Sequence, residues 1–61
     1  MDINVLVLLK KNERYVFLYA DGQERVLQRT LGRFATTPDL SFSWEDAVIL
    51  THRIQQELDA R

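Results

Sequence analysis

Cysteine is absent from the sequence, which excludes disulfide staples and thiolate metal sites together. A lone histidine, His52, supplies too few ligands for a structural zinc site, so neither a metal nor a cofactor is expected. Neither sign of charge dominates: eight basic and nine acidic residues leave a net charge of −1. That balance removes the global electrostatic case for nucleic acid or an anionic membrane, although a local patch remains open. The longest apolar run, Val5 to Leu9, falls far short of the roughly 20 residues that cross a bilayer. The start Met1-Asp2-Ile3-Asn4 has no basic stretch or small-residue cleavage site, so no signal peptide is expected. With the missing cysteine, this fits a cytoplasmic protein.

What remains is one small domain of 61 residues. A chain of this size buries only about 60% of its unfolded surface and is marginally stable by itself. Disulfides and metals are excluded above, so oligomerisation or docking on a partner is the stabilising route left.

Residues 4–20 carry the strongest pattern. Asn4–Lys10 and Arg14–Ala20 read as the strands of a β-hairpin across a polar turn at Lys11-Asn12-Glu13. Side chains alternate between the faces of a strand, so a hairpin with one wet side alternates apolar and polar. This one is apolar on both. A two-residue turn at Asn12-Glu13 places Val5, Val7, Leu9, Val16, Leu18 and Ala20 on one face and Leu6, Leu8, Lys10, Tyr15, Phe17 and Tyr19 on the other. A three-residue turn swaps the partners and joins the aromatics to Val5, Val7 and Leu9. Asn-Glu is not the favoured Asn-Gly dipeptide, so the turn leaves the register open.

Two helices follow. Asp21 with Glu24 three residues later resembles a capping box, and an Asp21-Gly22 hairpin turn is the competing reading. Periodicity favours a helix over about 22–35, with Val26, Leu27, Thr30, Leu31, Phe34 and Ala35 on one face. Gly32 inside it costs about 1 kcal/mol relative to alanine and marks either a close backbone approach or an early helix end. Thr36-Thr37-Pro38-Asp39 breaks the helix, and Leu40 and Phe42 tuck under the connection. Ser43 then caps a second helix over about 44–59, accepting a bond from the amide of Asp46. Ala47, Leu50, Thr51, Ile54 and Leu58 form its inner stripe, with Trp44 and Val48 on the flank. The expected fold is α+β, a two-layer β-β-α-α domain with a hairpin about 3–20 and both helices on one of its faces.

Candidate sites are few. Arg25, Arg29 and Arg33 recur every four residues, a stripe able to contact phosphate but more simply a solvated helix face. His52 lies near Glu45 with no nucleophile or oxyanion site beside it, so no catalytic role is expected. Ile49 is a large aliphatic on the otherwise polar outer face of the second helix. Leu6, Leu8, Tyr15, Phe17 and Tyr19 are the candidate interface residues, because Tyr and Phe bury large areas while the hydroxyl stays wet.

The phrases Tyr15-Val-Phe-Leu-Tyr19, Arg29-Thr-Leu-Gly-Arg-Phe-Ala35 and Leu40-Ser-Phe-Ser-Trp44 resemble a set of short bacterial proteins of similar length and unknown function. That resemblance implies a compact stand-alone bacterial domain and brings no activity, ligand or site residues. A looser likeness is to ribbon-helix-helix repressors, which dimerise through one strand followed by two helices. The full hairpin and the lack of polar alternation for reading bases depart from that pattern. The sequence therefore points to a non-enzymatic interaction module, a homodimer through the second apolar hairpin face or edge. The alternative is a small nucleic-acid-binding regulator using the arginine stripe or the aromatic strand face.

Overall fold

In the computed structural model, which describes residues 2–60, two antiparallel strands precede two helices: β1 (Ile3–Lys10), β2 (Glu13–Ala20), α1 (Glu24–Ala35) and α2 (Trp44–Asp59). This is the α+β order expected. The turn is the dipeptide Lys11-Asn12, and Glu13 opens β2 opposite Lys10. The turn thus sits one residue earlier than the two-residue reading at Asn12-Glu13 placed it, and is one residue shorter than the three-residue reading. Leu6 faces Phe17, Leu8 faces Tyr15 and Val7 faces Val16, so the division into faces is the one a two-residue turn gives. Among the described residues no non-glycine has a positive φ, so this is not the primed turn that Asn-Gly makes.

The core explains the choice of face. Leu6, Leu8, Tyr15, Phe17 and Tyr19 are buried against Leu27 and Leu31 of α1 and Ala47, Leu50 and Ile54 of α2. Phe34 and Phe42 bring two more rings to the strand aromatics. Phe17 stands 5.2 Å from Phe34, and Tyr15 stands 5.3 Å from Phe42, centroid to centroid. The edge-on and tilted arrangements suit the ring quadrupoles. An aromatic strand face is needed here because α1 and the connection to α2 present aromatic rings to it.

Both helix starts were read in the sequence, with different outcomes. At α2 the capping box is complete: Ser43 Oγ accepts from the Asp46 amide at 3.1 Å, and Asp46 Oδ2 accepts from the Ser43 amide at 2.9 Å. At α1 the cap is not Asp21. The Gln23 amide donates to Ala20 O across a turn whose third residue, Gly22, has φ of 89°, the left-handed value glycine supplies in a type II turn. The Asp21 carboxylate accepts instead from Asn4 Nδ2 at 2.7 Å. The Asp-Gly turn is real, and it leads into a helix. Val26, assigned to the inner face of α1, is half exposed beside β2.

Gly32 neither ends α1 early nor admits another backbone: the helix continues to Ala35, and the Trp44 indole lies across it. A Cβ at position 32 would meet that ring at 3.8 Å, ordinary contact distance. Gly32→Ala is therefore expected to stabilise the fold by about 0.5–1 kcal/mol, the helix-interior difference between the two residues. A thermal melt checks it, and a lower Tm would contradict the geometry.

Candidate interaction surface

The helices occupy one side of the hairpin only. On the other, Ile3, Val5, Val7, Leu9, Val16 and Leu18 form a continuous aliphatic surface, each between 36% and 73% exposed. Their cross-strand pairs, Val5 with Leu18 and Val7 with Val16, place branched side chains edge to edge. Together they leave on the order of 500 Å² of apolar area, at the upper end of what the largest patch on a monomer shows. Arg14, paired with Leu9, sits at the turn end of this face.

The five residues expected to form the interface are on the wrong side for it. Leu6, Leu8, Tyr15, Phe17 and Tyr19 are each no more than 8% exposed and belong to the core. The expectation of two apolar faces holds. The assignment of the aromatic one to the interface does not. The physical reason is packing: the rings of Tyr15 and Phe17 meet those of Phe34 and Phe42 inside the core.

The hairpin is pinned to the helices by a polar clasp at its turn end. Lys10 Nζ donates to Asp46 Oδ2 and to the Ser41 carbonyl, both at 2.6 Å. The Tyr15 hydroxyl donates to Glu13 Oε2 at 2.6 Å, and Ser41 Oγ donates to the other Glu13 oxygen. The clasp joins β1, β2, the connection and the cap of α2. Burial pushes the Asp46 carboxyl up, but the Lys10 ammonium and the Ser43 amide and hydroxyl outweigh it and hold the pKa below its ordinary value. Bonds from Ser41 and then Tyr15 lower that of Glu13, while the hydrogen bond to Asp46 raises that of Lys10.

These directions set a pH profile. Depressed carboxyls contribute stability above their unfolded pKa, near 4, and lose it as pH falls through the folded values. The raised lysine contributes fully below its unfolded pKa, about 10.4, and loses its share as pH rises through the folded value. Urea unfolding across pH should show a plateau between those limits and falling stability on both sides. Asp46→Asn should flatten the acid limb, and an unchanged limb would remove the clasp from the account.

The remaining sequence candidates are scattered. Arg25, Arg29 and Arg33 are exposed on α1, and none pairs with a carboxylate among the described residues. Their side of α1 is opposite Leu27 and Leu31, away from the sheet. His52 is exposed on α2, where with Gln28, Trp44 and Val48 it borders a shallow apolar depression over Gly32. Ile49 belongs to the helix layer and so lies across the domain from the aliphatic sheet face. Among the described residues no cluster of His, Asp or Glu is gathered as a metal site, and no helix is long and apolar enough to cross a membrane.

One contact that the sequence did not signal lies at the edge of β1. Arg53 Nη1, on α2, donates to the Val7 carbonyl at 2.8 Å. The two residues are 46 positions apart, beyond any local pattern. No protein-family model matches the chain, and no curated protein or solved structure is significantly similar to it.

Proposed function

We propose that the protein is a small, non-enzymatic interaction module that self-associates through the outward face of its hairpin. The observation that carries this reading is the aliphatic surface of Ile3, Val5, Val7, Leu9, Val16 and Leu18, left uncovered by both helices. A cytoplasmic domain of this size gains from covering it: each branched side chain taken fully from water is worth about 1.5–3 kcal/mol. A two-fold arrangement suits such a face, because one patch then meets its own copy. Lys10 and Ser41 tie both strands to the connection and to α2, which supports a structural role for the clasp in place of a catalytic one. The arginine stripe supports a nucleic-acid role less well, since it stands on an acidic chain with no aromatic side chain between its members.

Sedimentation equilibrium at micromolar concentration tests the reading. Wild type should exceed the mass of one chain, and Leu18→Lys should reduce the assembly while the far-UV circular dichroism is kept. Leu9→Lys, near the turn, provides a second exposed position. A monomer at every concentration would sink the proposal.

A further inference from the structure

The hairpin has two edges, and they are not equivalent. In an antiparallel pair, opposed residues alternate between those that bond each other and those whose N–H and C=O point away. Asp21 N donates to Asp2 O at 3.1 Å, in step with the register of the strands, so the pairs Asn4–Tyr19, Leu6–Phe17, Leu8–Tyr15 and Lys10–Glu13 turn inward. The outward groups belong to Ile3, Val5, Val7 and Leu9 on β1 and to Arg14, Val16, Leu18 and Ala20 on β2.

On β1 the outward edge is engaged at one point. Arg53 holds the Val7 carbonyl, and Gln56 and Glu57 of α2 border the same stretch of strand. On β2 the Ala20 carbonyl is used by the Gln23 amide. Arg14, Val16 and Leu18 have no such partner, and a groove runs beside this edge, bounded by Val26 and Thr30 of α1. β2 has few of the devices that protect an edge: no proline, no bulge, and a single charge, Arg14, on its outward positions.

Area decides what pairs there. One hairpin face offers on the order of 500 Å², less than the roughly 800 Å² per partner of a standard interface. Joining two hairpins edge to edge makes one platform of twice that size, and the platform is continuous with the face that the self-association reading already uses. We propose that a second copy of this chain occupies the β2 edge, its own β2 running antiparallel, so that two hairpins form one four-stranded sheet. Val16 then lies opposite its own copy, and Arg14 lies opposite Leu18. Two such sheets close on their aliphatic faces, giving four chains in all. The inference rests on the face reading for that last step but uses different atoms, the outward amides of β2.

Amide hydrogen exchange distinguishes the two contacts. Val5 and Val7 share the aliphatic face with Val16 and Leu18, so face packing alone shields both strands alike. Edge pairing slows only β2. At assembling concentration the Val16 and Leu18 amides should exchange about tenfold or more slower than those of Val5 and Val7. Val16→Pro keeps an apolar residue on the face and removes an outward N–H that the hairpin itself does not use. It should halve the mass from four chains to two. Equal exchange on both strands in a two-chain particle would overturn the edge contact and leave the face reading standing. A monomer throughout would overturn both.

Discussion

Phe17→Glu should abolish folding, whereas the change at the very next residue, Leu18→Lys, should leave a folded chain whose assembly is reduced. Phe17 is 7% exposed and packs against Phe34 and Phe42, with centroids 5.2 and 6.1 Å away. Removing a buried phenyl ring costs about 3–5 kcal/mol, before the charge of a buried carboxylate is counted. A domain of this length has a total stability of about 3–9 kcal/mol. The substitution therefore consumes most or all of it. Loss of the far-UV circular dichroism signal at 25 °C is the expected result. A folded Phe17→Glu protein of altered mass would instead place the aromatic face at the surface and reverse the assignment of faces made above.

Asp46→Ala should be the most damaging change outside the apolar core. Its carboxylate is nearly buried and accepts from two groups, the Ser43 amide and the Lys10 ammonium, which in turn donates to the Ser41 carbonyl. A bond to a charged group is worth about 1.5–3 kcal/mol, and the reciprocal cap of α2 is lost with it. Lys10 is partly exposed and regains water, which moderates the cost. We expect about 2–3 kcal/mol in total, or a fall in Tm on the order of 10–20 °C for so small a domain. Asp46→Asn keeps the shape and loses the charge, and its Tm should fall between those of wild type and Asp46→Ala. If Asp46→Ala melts like wild type, the hairpin is held by its aromatic core alone.

The element order was legible because it depends on local signals. Two apolar runs across a polar turn, then the spacing of Leu27 and Leu31, then Ser43 with Asp46 three residues on, each need only a few neighbouring residues. The identity of the covered face was not local. Both faces of the hairpin are apolar, and the turn at Lys11-Asn12 carries no glycine to announce itself. What selects the aromatic face is the arrival of Phe34 and Phe42 from later in the chain. Those two residues are visible in the sequence, and matching ring to ring is the signal that places Tyr15 and Phe17 inside. The start of α1 departs from its sequence pattern for a similar reason: Asp21 is drawn away by Asn4, 17 residues earlier, so its side chain does not cap. Lys10 with Asp46, and Arg53 with Val7, join residues 36 and 46 positions apart. No sequence period reports such pairs.

The bond from Arg53 to Val7 bears on how large an assembly of this chain becomes. A sheet that recruits copies at either edge has no last member and grows into a fibre. Disabling one edge leaves each hairpin a single place to receive a neighbour, and the neighbour's place is filled by the same act. Growth then stops at a counted particle. In the proposed assembly, one guanidinium on α2 would thus act as a terminator, set against further copies on that side of the sheet.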